Sequence, residues 1–270
     1  MKDSRTNSVK FTKATACGND FLIAAWHDDF GDMSQLSQRM CDRHRGVGAD
    51  GVEWTFDDAN SDVRVQLMNA DGSEAEISGN GTRCVAAEIS SRTGKNEIAV
   101  QTAAGIKKCR VIEQHANEMV FESAMGAAEL GSQLTIDAAD VHAVGTQVSM
   151  GNPHYVILVD AFTDGWQKQA ATIQAQSHFP QGTNVEYVIG RGPNEIEIRL
   201  FERGVGETLS SGTGSCASAV AAIAAGHVSS PVNVIAPGGT QVVRWEREAG
   251  QNQVYLRGAA SMICRGEFLI

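Results

Sequence analysis

The chain has 270 residues, of which 42% are hydrophobic and 20% charged, with 28 glycines, 5 prolines and a formal net charge of −10. That length and apolar content suffice for a packed core without disulfides or metal and favour two domains. The acidic balance argues against nucleic acid as a partner, because affinity there rests on Lys and Arg meeting phosphates, and no run of about 18 apolar residues offers a membrane span.

In chain order, a first strand is expected over Phe11–Ile23, a second around Val52–Trp54 and a third over Val63–Met68. A Gly-rich turn, Ser78-Gly79-Asn80-Gly81, then feeds an apolar helix over Cys84–Ser91. Alternating segments Glu97–Gln101 and Lys107–Ile112 read as strands. Between Met125 and Ala143, acidic and small residues replace the strand pattern and mark a boundary. A strand over Val144–Val159 opens the second half, and Glu195–Phe201 follows as another. A second Gly-rich turn, Ser211-Gly212-Thr213-Gly214, leads into a helix over Ser215–Ala225, with Gly226 suited to end it. Val232–Ile235, Gln241–Arg244 and Val254–Leu256 complete the strands. Both helices are apolar on nearly all faces, the signature of a buried helix.

The two halves share one register. Ser78 and Ser211 are 133 residues apart, and the same offset carries Gly18-Asn19 onto Gly151-Asn152, Val52-Glu53-Trp54 onto Val185-Glu186-Tyr187, and Glu74 onto Glu207. A tandem duplication explains all four matches. The expected fold is α+β: two pseudo-symmetric units, each a barrel-like, mostly antiparallel sheet around a central helix. The units are expected over 1–130 and 131–260.

A Gly-rich turn ahead of a buried helix presents backbone N–H groups at the positive end of the helix dipole, which suits an anion. Two such turns, related by duplication, are expected to face one cleft and to stabilise the negative charge that develops when a carbon beside a carboxylate loses its proton. Inverting that carbon needs a proton-transfer group on each side, and a thiol suits the task because its free pKa is about 8.5.

Met68-Asn69-Ala70-Asp71-Gly72-Ser73-Glu74-Ala75-Glu76 with Ser78-Gly79-Asn80-Gly81, and Glu202-Arg203-Gly204-Val205-Gly206-Glu207-Thr208 with Gly212-Thr213-Gly214, resemble the two signatures of the diaminopimelate epimerase family. Gly18-Asn19-Asp20-Phe21, Arg45-Gly46-Val47-Gly48-Ala49-Asp50, Gly151-Asn152-Pro153-His154 and Asn184-Val185 match further family motifs in the right order. The resemblance covers essentially the whole chain. It implies cofactor-independent inversion of LL- to meso-diaminopimelate by two thiols, in lysine biosynthesis. It also implies a small amino-acid substrate, a possible homodimer, and a C-terminal strand over Ser261–Ile270 that joins the first unit. The six cysteines, none in a CxxC pair, and the lack of a signal-peptide pattern at the start of the sequence point to a cytosolic protein with reduced thiols. Asn69, Gly79, Asn80, Glu202, Arg203, Gly212 and Thr213 would contact the reacting centre, and Asn19, Asn152 and Asn184 would help hold the substrate. His154 and Glu202 would sit near the reacting groups. No cofactor or metal is expected.

The chain departs from the family pattern at both reacting positions, where Ser78 and Ser211 stand in place of cysteine. A serine hydroxyl is too weak an acid to act at pH 7 without an adjacent general base. Three readings fit: a natural variant in which the serines work with His154 and Glu202, an isomerase of another small acid using a non-thiol base, or an engineered Cys→Ser form that binds substrate only. Structural readings stand beside these. Ser78 and Ser211 are good helix N-caps, the asparagines suit turns, His154 alone reads as a structural histidine, and Glu202-Arg203 as a charged pair. A further departure puts Ala14-Thr15-Ala16-Cys17 where the family has a His-containing stretch. Cys17 reads as a reactive thiol near the cleft or, more simply, as a small buried residue.

Overall fold

The computed structural model describes residues 8–75, 77–138, 141–247 and 252–270. Glu76 of the first signature lies outside the described residues. Contacts divide the chain into unit 1, Met1–Ser123 with Gly258–Ile270, and unit 2, Ala124–Arg257.

Unit 1 carries β1 (Ser8–Ala16), β2 (Asn19–Ala25), α1 (Met33–Cys41), β3 (Gly51–Phe56), β4 (Val63–Asn69), β5 (Glu74–Ala75), α2 (Gly79–Thr93), β6 (Glu97–Thr102), β7 (Gly105–His115) and β8 (Glu118–Ala127), whose last residues pass into unit 2. Unit 2 carries β9 (Glu129–Ala138), β10 (Val141–Ser149), β11 (Pro153–Leu158), α3 (Trp166–Gln174), β12 (Asn184–Gly192), β13 (Glu195–Glu202), β14 (Gly206–Thr208), α4 (Gly212–Ala224), β15 (Val232–Ala236) and β16 (Gly239–Glu246). The last strand, β17 (Gln253–Leu269), gives its first residues to unit 2 and the rest to unit 1.

In unit 1 the pairing runs β1–β2–β3–β4–β6–β7–β8–β17 and returns to β1, closing a mixed barrel. The β2–β3 and β4–β6 pairings are parallel, and β1–β2, β3–β4, β6–β7, β7–β8 and β1–β17 are antiparallel. Unit 2 repeats the plan through β9–β10–β11–β12–β13–β15–β16–β17, parallel at β11–β12 and β13–β15. The 133-residue offset survives at the level of single pairs. Phe21 pairs with Gly51 and Ile23 with Glu53, while His154 pairs with Asn184 and Val156 with Glu186. Val52 opposite Met68 becomes Val185 opposite Phe201. The fold is the duplicated α+β arrangement expected from the sequence.

Each barrel is filled by one helix. Cys84, Val85, Ala86, Ala87 and Ile89 of α2 pack against Ala14, Phe21, Ile23, Val65, Leu67, Ile98, Val100 and Phe121. Cys216, Ala217, Ala219, Val220, Ala221 and Ala222 of α4 pack against Val148, Val156, Val188, Ile196, Ile198, Val234 and Val243. Small side chains let strands approach the helix from all sides, which is why neither helix has a polar face. Each buried Val, Ile or Leu contributes about 1.5–3 kcal/mol relative to exposure. α1 and α3 cover the outside of their sheets, over cores built on Trp54 and on Tyr155 with Trp166. Gly226 ends α4 as expected: it adopts φ 75°, and the His227 N–H bonds to the Ala222 carbonyl.

Three expectations change. The strand over Phe11–Ile23 is a hairpin, broken at Cys17 and Gly18, which both have positive φ (47° and 83°) and so reverse the chain. The strand over Val144–Val159 is likewise β10 and β11, folded back at Gly151. The stretch between Met125 and Ala143, read as lacking strand pattern, is largely strand, because β9 pairs with β10 while staying mostly exposed and so carries little apolar alternation.

Candidate active site

Both Gly-rich turns are first turns of helices rather than loops ahead of them. Ser78 is the N-cap of α2, with its Oγ accepting the Gly81 N–H at 3.0 Å. Ser211 caps α4 in the same way, accepting the Gly214 N–H at 3.3 Å. Neither helix carries an acidic residue within its own first turn. Gly79 is exposed and Gly212 and Thr213 are half-buried, which leaves the leading end of each helix open to an anion.

In unit 1, β2 and α2 bring two of the expected residues together. Asn80 Nδ2 donates to Asn19 Oδ1 at 2.8 Å, and Asn19 Nδ2 donates to Asp50 Oδ2 at 3.0 Å. The Arg83 guanidinium donates to both Asn80 Oδ1 and the Cys17 sulfur. Asn69, at the end of β4, is held apart from this chain of bonds by its own turn: its Nδ2 donates to Ser73 Oγ at 3.0 Å. Cys17 is half-buried, and desolvation pushes its thiol pKa up against the opposing pull of Arg83. The small-residue reading fits it better than that of an activated thiolate.

In unit 2 the expected residues form two groups. His154 is fully buried, with Nδ1 2.7 Å from Glu186 Oε1 and Nε2 3.0 Å from Asn152 Oδ1. Asn152 Nδ2 reaches Thr213 Oγ1 at 3.4 Å. Side-chain oxygens therefore flank both ring nitrogens of His154. Burial pushes the Glu186 carboxyl up, and the His154 beside it opposes this. The second group is Asn184, whose Nδ2 donates to the Pro153 carbonyl and whose Oδ1 accepts the Arg203 N–H at 2.9 Å. Glu202 is half-buried and accepts from Thr208 Oγ1 at 2.7 Å. The Arg203 side chain is exposed and donates to the Gln181 carbonyl.

Replacing His154 by alanine leaves Glu186 buried without its hydrogen-bond partner and empties the space of a buried ring. The expected loss is about 3–5 kcal/mol of unfolding free energy, measurable by urea denaturation. A loss under about 1 kcal/mol would mean that the pair does not hold unit 2 together.

Glu53 and Glu186 were not among the residues expected at the site. They are duplication mates on β3 and β12, each 1% exposed. A Cβ added at Gly81 would lie 2.0 Å from Glu53 Oε1 and 3.2 Å from Ser78 Cβ. At Gly214 the same construction meets Glu186 Oε1 at 3.1 Å and Ser211 Cβ at 3.1 Å. Each serine cap therefore has a buried carboxyl behind its helix turn, admitted by a glycine. The signal was present in the sequence: a glutamate shared by both repeats inside an otherwise apolar strand. Among the described residues, no group of three or more His, Cys, Asp or Glu could hold a metal ion, and no helix is long and apolar enough to cross a membrane.

The family model described as Diaminopimelate epimerase matches residues 11–131 and 146–263. The chain is 36% identical over 281 residues to the diaminopimelate epimerase of Desulforudis audaxviator, covering 97% of this chain and 99% of that one. It is 34% identical to that of Caldanaerobacter subterraneus, covering 97% and 100%. Among solved structures, a phenazine biosynthesis protein of the PhzF family from Bacillus anthracis superposes with a TM-score of 0.71 at 16% identity, over 97% of this chain and 99% of that one. A hydroxyproline epimerase from Agrobacterium vitis superposes at 0.62 and 13% identity, over 97% and 91%. At these identities the two structures speak to the fold alone.

Proposed function

The chain belongs to the diaminopimelate epimerase family, and we propose that it moves the α-proton of diaminopimelate without a cofactor, using serine where the family uses thiols. The observation that supports this most is the repeated arrangement of a serine cap, an open helix N-terminus and a buried glutamate, once in each unit. An open helix N-terminus offers N–H groups suited to a substrate carboxylate, which takes up charge as the α-proton leaves. Asn19, Asn69, Gly79, Asn80, Asn152, Asn184, Glu202, Arg203, Gly212 and Thr213 form the proposed binding set. Serine needs a base to work at neutral pH, and the His154–Glu186 pair behind the Ser211 turn is the candidate in unit 2. A cytoplasmic location belongs to the same proposal and rests on the cysteine usage of the sequence.

A second reading has its own support. Both serine oxygens already accept a backbone N–H as caps, so the chain would bind the amino acid and leave it unchanged. Incubation with LL-diaminopimelate in D2O, followed by proton NMR, separates the two. Loss of the α-proton signal is expected. Binding without exchange would leave a binding protein, and no binding would remove diaminopimelate as the substrate.

A further inference from the structure

Glu53 has no structural reason to be a glutamate. It sits on β3 between Val52 and Trp54, both fully buried, and its Oε2 has no hydrogen-bond partner among the described residues. A buried carboxyl with an unmet oxygen costs stability, and an apolar side chain of similar size would serve the barrel better. Its duplication mate Glu186 has His154 as a partner. The position equivalent to His154 in unit 1 is Phe21, so Glu53 stands without a histidine. It does have access: Glu53 and Ser78 line the same cavity of about 160 Å³, together with Thr82, Glu74, Arg64 and Thr102. The Ser78 oxygen accepts the Gly81 N–H, which leaves its hydroxyl proton available to donate.

We propose that Glu53 is the proton-transfer group of unit 1, exchanging a proton with the Ser78 hydroxyl as Ser78 takes up or returns the substrate's α-proton. The inference rests on the α-proton transfer proposed above. In the forward step the Cα–H bond breaks and its electron pair stays on the substrate, spread into the carboxylate at the helix terminus. The α-proton goes to Ser78 Oγ while the original hydroxyl proton goes to a Glu53 carboxylate oxygen. When the reaction runs from the other stereoisomer, whose α-proton leaves from the opposite face, the same transfers run in reverse: Ser78 Oγ gives its proton to Cα and takes back the one held by Glu53, and no other reactant is needed. Burial supports this role by raising the Glu53 pKa from 4.5 to about 8, so that both protonation states are accessible near neutral pH. The charged and titratable groups around it are Arg64 on β4, Glu74 on β5 and Cys84 on α2. The Arg64 guanidinium stacks on the Phe56 ring at 3.8 Å. The two units would thus differ: a lone carboxyl works in unit 1 and a histidine–glutamate pair in unit 2.

The test compares the wild-type chain with Glu53→Gln and Glu53→Asp in three measurements: α-proton exchange of diaminopimelate in D2O, diaminopimelate binding by calorimetry, and the thermal midpoint. Glu53→Gln is expected to bind within threefold of wild type and to melt no lower than it, while exchange falls by about 100-fold or more. Glu53→Asp should recover part of the rate. Exchange by Glu53→Gln within threefold of wild type overturns the proposal and leaves the epimerase reading intact. Loss of binding in both variants, in step with the rate, overturns it in favour of a structural role. If the wild-type chain exchanges nothing, the epimerase reading fails, and infrared spectroscopy then decides on Glu53. A protonated-carboxyl band at pH 7 that is absent from Glu53→Gln and lost above about pH 9 supports it as a proton-transfer group for whatever acid the site takes. Absence of that band overturns it.

Discussion

Ser78→Cys combined with Ser211→Cys should raise α-proton exchange on diaminopimelate by at least about 100-fold, the lower end of what one acid–base group contributes, while making the protein less stable. The gain follows from acidity. A free thiol has a pKa of about 8.5, and a helix N-terminus lowers it further, so a useful fraction is ionised at neutral pH. A serine hydroxyl reaches the same state only with a base beside it. The loss follows from capping. Both serine oxygens accept the N–H three residues on, at 3.0 and 3.3 Å, and sulfur is a poor acceptor at that position. Removing a serine cap costs about 1 kcal/mol, so roughly 2 kcal/mol is expected for the pair. For a chain of this size that lowers the thermal midpoint by roughly 4–8 °C. Exchange kinetics by NMR and a thermal melt of the same sample check both halves. A double-cysteine chain that binds diaminopimelate and remains inert would mean that the pocket geometry has moved away from epimerisation.

What the sequence makes legible here is what the duplication repeats. The serine caps, the apolar helices behind them and the paired strands recur at a spacing of 133 residues, and the strand register follows that spacing pair by pair. The hairpin turns were harder to see. A reversal at Cys17 depends on a non-glycine residue taking φ 47° beside Gly18, which no propensity favours. β9 escaped because an exposed strand has no reason to alternate. α1 had a readable start, with the Asp32 side chain accepting the Gln35 N–H, whereas α3 begins after Gly165 with no side-chain cap. Glu53 was missed for a different reason. Charged residues are read as exposed by default, so the repeated glutamate passed as a surface residue until the approach of Gly81 to its carboxyl placed it inside.

The same burial predicts how stability depends on pH. The Glu53 carboxyl has a pKa of about 8 in the folded chain, against an ordinary value of 4.5. Below about 4.5 it is protonated in both states and its burial carries no charge. Between 4.5 and 8 the unfolded chain releases the proton and the folded chain keeps it, so unfolding becomes easier as pH rises. The contribution present in acid is lost across that window and is gone above it. Relative to Glu53→Gln, which cannot titrate, the wild-type chain should lose about 3–4 kcal/mol between pH 5 and pH 8. The comparison isolates one group. Asp20, Asp42, Asp58, Asp62, Asp71 and Glu197 are held below their ordinary values and act in acid, below this window, with the opposite sign. Glu186 is raised by burial and acts with the same sign, but it is common to both proteins. Urea denaturation of the two proteins at intervals of half a pH unit measures the difference. Parallel curves would mean that the Glu53 carboxyl ionises as freely in the folded chain as in the unfolded one, and that water or a cation reaches it through the Ser78 cavity. Diverging curves would show that the barrel keeps an acid neutral behind its serine cap, at a cost in stability that an apolar residue would avoid.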